Sequence, residues 1–217
     1  MTLENVRGGT ETLNTGFLIP LVGFGTYKVV GEDVLPAIDA ALTAGYRMFD
    51  TAKYYHNEKE LGEAIKTLLP KHNLSRQDIF ITTKFFPEAE NSRETCRGYV
   101  EESLKNLNTD YIDMYLVHYP KPNACDNEDT KNAEYRRIAY EVLKEAQAAG
   151  KIRSVGVSNY EINHLEELAT YSKVPPCANQ VEYHPHFTRS DLHKYCKEHR
   201  IFFQVRTYLV QSISLRM

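Results

Sequence analysis

Tyr46-Arg47-Met48-Phe49-Asp50-Thr51-Ala52-Lys53-Tyr54-Tyr55 is a short apolar run that ends on a carboxylate and carries a phenol just beyond it. Working outward, Ile79–Lys84 ends on an ammonium and Tyr111–His118 on an imidazole. Further runs of strand length lie at Leu21–Gly25, Ile152–Ser158, Ala178–Glu182 and Ile201–Gln204. Between them, apolar residues recur at helical spacing: Val34-Ile38-Ala41-Leu42, Leu61-Ile65-Leu68-Leu69, Val100-Leu104-Leu107, Ile138-Val142-Leu143-Ala146, Ile162-Leu165-Leu168 and Leu192-Tyr195. Asn91-Ser92-Arg93-Glu94 reads as the start of the third helix and Gly150 as the stop of the fourth. A small hairpin is expected over Leu13–Ile19, around Asn14-Thr15-Gly16.

Alternating strands and helices imply a parallel sheet covered by helices, as either a doubly wound sheet or an eight-stranded barrel. Gly23-Phe24-Gly25-Thr26 lacks the glycine spacing of a dinucleotide fingerprint, which removes the usual reason to choose the former. Polar residues follow strand after strand: Thr26, Asp50, Lys84, His118, Ser158-Asn159, and Gln180 within the sixth. A closed ring of parallel strands points all of them at one mouth. A complete barrel takes ~250 residues, and the chain has 217. The expectation is therefore an α/β fold, a (β/α)8 TIM-type barrel that is incomplete. It should have seven strands and six helices behind an N-terminal β-hairpin, in a single partial-barrel domain over residues 1–217. Residues 205–217 read as a divergent tail.

Composition narrows the function classes. A formal charge of −3 and the lack of any basic stripe argue against nucleic acid as a partner. No segment approaches the roughly 20 apolar residues that span a bilayer, and the first residues lack a signal core, so a cytoplasmic protein without a membrane partner is expected. A monomer is expected too. Cys96, Cys125, Cys177 and Cys196 show no C-x-x-C spacing and read as thiols.

The four rim residues suggest proton donation to a carbonyl. A phenol such as Tyr55, with an ordinary pKa of ~10, donates poorly until a neighbouring ammonium favours its ionised form. Lys84 is the candidate ammonium, Asp50 the group that holds it charged, and His118 an orienting imidazole. Taken singly, each has a plainer reading. Asp50 could cap the next element, Tyr55 is one of fifteen tyrosines, Lys84 could be solvated, and His118 could be a satisfied core imidazole. Together, at successive strand ends, they outweigh those readings. A metal hydrolase using Glu182, His184 and His186 with His118 is the weaker alternative, because Pro185 interrupts the alternation and no ligand set is expected.

The chain resembles the aldo-keto reductases. Gly45–Gly62 matches the family's first signature, with Met48 where His or Ser is usual. Lys151–Tyr160 matches a second, and Gly23–Tyr27, Ile81–Lys84 and Asn179–Pro185 add to them, over about 15 to 204. The resemblance implies a catalytic tetrad of Tyr55 as general acid with Asp50, Lys84 and His118. It implies that NADPH (NADP+) lies against Gly25, Thr26 and Tyr27, with Asp50 and the side chains of Ser158, Asn159 and Gln180 at its nicotinamide end. Tyr27 and Tyr119, with Tyr55 and His118, would line the pocket for a small-molecule carbonyl substrate. After Gln204 the pattern departs: Arg206 stands about where the family has a Tyr under the nicotinamide, Tyr208 does not fit that place, and the phosphate-gripping segments are missing. The expected alternative is a truncated, catalytically impaired relative that does not bind cofactor effectively.

Overall fold

The computed structural model describes residue 3 and residues 6–206. Of the divergent tail over 205–217, residues 207–217, Tyr208 among them, lie outside the described residues, as do positions 1, 2, 4 and 5, whereas Val205 and Arg206 belong to the last strand. A two-stranded hairpin, β1 (Thr10–Thr12) and β2 (Leu18–Pro20), precedes seven parallel strands. These are β3 (Phe24–Gly25), β4 (Met48–Asp50), β5 (Phe80–Phe85), β6 (Ile112–Val117), β7 (Ile152–Ser158), β8 (Ala178–Glu182) and β9 (Phe202–Arg206). Each strand pairs with its neighbour in sequence, so the order is β3-β4-β5-β6-β7-β8-β9 and the outer strands are β3 and β9. Six helices intervene: α1 (Val34–Thr43), α2 (Glu58–Lys71), α3 (Ser92–Asn106), α4 (Asn132–Ala148), α5 (Ile162–Tyr171) and α6 (Ser190–Glu198). This is the seven-stranded partial barrel expected from the sequence, with its hairpin.

Strand periodicity organises the barrel by height. Met48 and Asp50, then Phe80, Thr82 and Lys84, then Met114 and Leu116 share one face, because side chains two apart on a strand point the same way. At the lower end Leu13 and Ile19 of the hairpin region pack with Met48, Phe80, Met114 and Leu116 into an apolar plug. At the upper end stand Asp50, Lys84 and, one residue past β6, His118. The alternate residues, Phe49, Ile81, Tyr115, Val155 and Val157 among them, face outward into the core shared with the helices. Both faces of β5 and β6 are buried over their full length, which explains why they read as unbroken apolar runs. Met48 also has a local reason: a Cβ at Gly23 would lie 2.2 Å from its Cε, so the methionine fills the space the glycine leaves.

Several strand ends shift by one or two residues from the sequence reading, the hairpin strands flank the expected turn, and two boundaries differ for a visible reason. Asn91 adopts a left-handed conformation (φ 45°) and makes no side-chain capping bond, so α3 begins at Ser92 without the expected cap. The first barrel strand pairs only over Phe24–Gly25, because its register to β4 involves just Phe24 with Phe49 and Gly25 with Asp50. Gly150 does terminate α4, taking φ 77° two residues past its end.

Helix α2 approaches the end of α3 at Gly62, where an added Cβ would lie 2.2 Å from the Asn106 carbonyl oxygen and 2.8 Å from Leu107 Cα. Both obstacles are backbone and cannot rotate away. Gly62→Ala is therefore expected to destabilise the fold by about 2–3 kcal/mol, the upper part of the usual overpacking range. Urea unfolding of the purified variant checks this, and unchanged stability would mean that α2 does not pack so closely.

Candidate active site

The mouth is built around one buried ammonium. Lys84 is fully buried within β5, and its Nζ donates to Asp50 Oδ1 at 2.5 Å and to the Thr51 carbonyl at 2.9 Å. Its third direction reaches Tyr55 Oη at 3.4 Å, a long contact, with the ring centroid 5.0 Å away. Burying an ammonium is costly unless acceptors replace water, and here three oxygens converge on it. The ladder supplies the heights: Asp50 pairs with Thr82, two residues below Lys84 on the same face of the neighbouring strand.

Tyr55 comes from a different kind of element. It ends a 3-10 turn, Lys53–Tyr55, that follows β4, and His56 leaves that turn in the left-handed region (φ 55°). Its ring packs edge-on against His118, centroids 5.8 Å apart, and against Tyr27 at 5.0 Å. His118 in turn lies against Phe86, centroids 4.5 Å apart. Burial, then the Lys84 charge and then that of Arg206, push the His118 imidazole down to about 2, so it is neutral across the physiological range. Its Nδ1 is buried with no hydrogen-bond partner among the described residues.

Across the mouth Gln180 of β8 meets Asp50, and the end of β7 braces β8 and His118. Gln180 Nε2 donates to Asp50 Oδ2 at 2.8 Å, Ser158 Oγ donates to the Gln180 carbonyl at 2.8 Å, and Asn159 Nδ2 donates to the His118 carbonyl at 2.8 Å. Asn159 Nδ2 also lies 3.1 Å from Ser158 Oγ, and Arg206 Nη2 donates to Asn159 Oδ1 at 2.9 Å. Gly25, Asp50, Gln180, Gln204 and Arg206 line a cavity of about 500 Å³ between the outer strands β3 and β9. Gln204 Oε1 is buried there without a hydrogen-bond partner among the described residues.

The structure thus brings Asp50, Tyr55, Lys84, His118, Ser158, Asn159 and Gln180 to one mouth. Thr26 is buried beside it, bonding the Asp50 carbonyl through both its amide (2.9 Å) and its hydroxyl (3.0 Å). Tyr27 and Tyr119 stand on the rim, roughly 40% exposed, Tyr119 being 6.5 Å from Phe86. Phe86 and Arg206 complete the mouth. Phe86, unflagged in the sequence, directly follows the strand that carries Lys84, and that adjacency was the available signal. The alternative centre at Glu182, His184 and His186 does not form. His184 hydrogen-bonds Glu182 at 3.2 Å, and no group of three or more His, Cys, Asp or Glu side chains among the described residues could hold a metal ion. No helix among the described residues is long and apolar enough to cross a membrane, and all four cysteines are free thiols.

An orphaned amide oxygen at Gln204 and the polar side chains of Asp50 and Gln180, all on the cavity between β3 and β9, fit the amide-bearing ring of a nicotinamide cofactor. Ser158, Asn159 and Gln180, the residues the resemblance implies for its carboxamide, lie at the end of β7, one residue past it, and on β8.

Comparison with known proteins gives the same direction. Residues 21–213 match the model of the aldo/keto reductase family. An aldehyde reductase of Saccharomyces cerevisiae is 37% identical over 217 aligned positions, covering 91% of this chain and 67% of the yeast protein. A glyoxal reductase of Bacillus subtilis is 36% identical over 204, covering 94% and 68%. The chain thus spans about two thirds of the length of these relatives. Among solved structures, an aldo/keto reductase from Brucella melitensis superposes with a TM-score of 0.81 at 33% identity, covering 97% of this chain and 76% of its own. A Bombyx mori aldo-keto reductase in complex with NADP superposes equally well, at 0.81 and 30% identity, covering 93% and 67%. With a family match over most of its length and relatives more than 30% identical over about two thirds of their own length, the chain belongs to the aldo/keto reductase family.

Proposed function

We propose that the chain carries the machinery for NADPH-dependent reduction of aldehydes or ketones to alcohols by hydride transfer, with Tyr55 as general acid. The observation that supports this most is the shared ammonium, with Lys84 Nζ between Asp50, the Thr51 carbonyl and the Tyr55 phenol. NADPH, when bound, supplies the hydride to the carbonyl carbon. Tyr55 holds the proton that the carbonyl oxygen takes up, and the ammonium stabilises the charge left on the phenol oxygen. Asp50 and the Thr51 carbonyl keep that ammonium fixed. His118, neutral and buried, orients the carbonyl oxygen without adding a charge of its own. Gly25, Thr26 and Tyr27 would flank the nicotinamide, and Tyr27, Tyr119 and Phe86 give the carbonyl substrate apolar walls. All these groups come from one chain, so this reading needs no residue from a second subunit.

A second reading, a family member with impaired cofactor binding, is favoured by one observation. Asn159 already gives its amide protons to the His118 carbonyl and Ser158, and its oxygen to Arg206. Quenching of protein fluorescence on NADPH addition separates the two readings, since only the first requires it.

On the first reading Tyr55→Phe lowers NADPH oxidation with a reactive aldehyde by roughly 10²–10⁴-fold and leaves NADPH binding intact. Turnover equal to the parent's would remove Tyr55 from the mechanism. A proton NMR titration of the His118 ring should show no midpoint near its ordinary 6.5. Because the unfolded chain takes up that proton and the native chain does not, His118 contributes stability above 6.5 that is lost as pH falls toward about 2. His118→Asn should therefore lose less stability than the parent when denaturation is compared at about pH 7 and about pH 5, and equal losses would refute a neutral His118.

A further inference from the structure

Tyr55 sits on a short turn, and the turn's own hydrogen bonds are few: Tyr55 N to the Ala52 carbonyl at 2.9 Å and His56 N to the Lys53 carbonyl at 3.2 Å. Those bonds close the turn but attach it to no strand. Left to itself, such a turn would not hold a phenol against Lys84 on another strand. The next two residues, Asn57 and Glu58, are buried, at 0% and 4% exposure, although both are polar and lie at the start of a helix whose first turn could face water.

Asn57 occupies the position before α2 where an asparagine side chain normally accepts a bond from the first turn of the helix. It makes no such bond. Instead its Nδ2 donates to the Thr26 carbonyl and to the Val29 carbonyl, each at 2.8 Å, and its Oδ1 accepts from Thr51 Oγ1 at 2.6 Å. Both amide protons and one acceptor position of the oxygen are spent on the loops that follow β3 and β4. Glu58 reaches the other way: its Oε1 accepts from Thr83 Oγ1 at 2.6 Å, and Thr83 directly precedes Lys84. Ser103 of α3 supports the same carboxyl group. The turn that bears Tyr55 is thereby tied to the ends of three strands, and two of the ties, Thr51 and Thr83, are residues next to or bonded by the Lys84 system.

We propose that Asn57 and Glu58 are positioning residues that hold the Tyr55 phenol at the Lys84 ammonium. Neither touches the reacting atoms. This inference rests on the tetrad assigned above, but it concerns the distance between two side chains and can be read without cofactor or turnover. Among the described residues Lys84, His118 and Tyr27 face the Tyr55 ring, and changing Asn57 or Glu58 removes no atom of these three.

The test measures ionisation of Tyr55 alone, as the tyrosinate absorbance difference between each protein and its Tyr55→Phe counterpart in an alkaline titration. Asn57→Ser keeps a residue able to cap α2 yet loses the bridges to Thr26 and Val29. Glu58→Ala loses the bridge to Thr83. In both, the midpoint of Tyr55 is expected to rise by about one unit, since an ammonium within ~4–6 Å shifts a neighbour by one to three. Glu58→Gln keeps an acceptor for Thr83 and removes the charge, so its midpoint should stay with the parent's, which separates positioning from simple electrostatics. Folding of each variant is checked by its thermal midpoint. Should Asn57→Ser or Glu58→Ala be too unstable to purify, Thr83→Val removes the same strut from the strand side with a β-branched residue of equal size, and the same rise is expected. In active preparations kcat should fall by ~10–100-fold with KM little changed, as misplacement by about an ångström implies. Folded variants that titrate like the parent would overturn the inference. If Tyr55→Phe leaves NADPH oxidation untouched, the reductase reading fails by itself, and the titration still decides whether these two residues place the phenol.

Discussion

A buried ammonium is the constraint around which the mouth is organised. Lys84 has no exposed surface, and the cost of taking its charge out of water is met only by acceptors at close range. Asp50 is the charged partner, and its second oxygen is held from the far side of the mouth by Gln180. One carboxylate therefore links β4 to β5 through an ion pair and β4 to β8 through an amide. Replacing Asp50 alone would leave the buried Lys84 charge uncompensated, which costs far more than an exposed pair contributes. The barrel can carry this polar cluster because its lower half is a dry plug of Leu13, Ile19, Met48, Phe80, Met114 and Leu116, well suited to holding the strands in register.

The same low-polarity surroundings set the state of His118. Burial disfavours its cation, and two nearby positive groups disfavour it further. An imidazolium beside Lys84 would compete with the ammonium for the phenol oxygen. A neutral ring instead packs edge-on to Tyr55 and against Phe86, so position and charge state follow from one cause.

Much of the fold was legible because the signals were local and physically redundant. Ile152–Ser158 and Ala178–Glu182 were read to the residue, since apolar content, length and flanking breakers agreed. The convergence of Asp50, Lys84 and His118 was legible because a parallel strand ending in a polar residue aims it at the shared rim. Other features depend on tertiary contacts that no local pattern carries. Asn91 had the composition of a cap but takes a left-handed conformation, with no side-chain bond to its helix. Asn57 sits where a cap is expected and serves other loops. Phe86 carries no local signal of its place, because an aromatic residue after a strand reads as core until its neighbour His118 is known.

Arg206 carries the argument about the cofactor end furthest. It lies on the outer strand β9, where Glu182 of β8 is its register partner, yet its guanidinium crosses to the Asn159 amide oxygen. Both amide protons of Asn159 are already committed within the chain, to the His118 carbonyl and to Ser158. A ligand amide that engages Asn159 must therefore share the oxygen with the guanidinium or displace one of these bonds. Exchanging one neutral hydrogen bond for another is nearly neutral, whereas giving up a bond to a charged donor costs ~1.5–3 kcal/mol unless the guanidinium finds a new acceptor. Gln204 Oε1, buried on the same strand, has that capacity to spare. On the proposed reading, the affinity of this mouth for a nicotinamide then depends on which acceptors the Arg206 side chain finds when the ring arrives, and not on the tetrad alone.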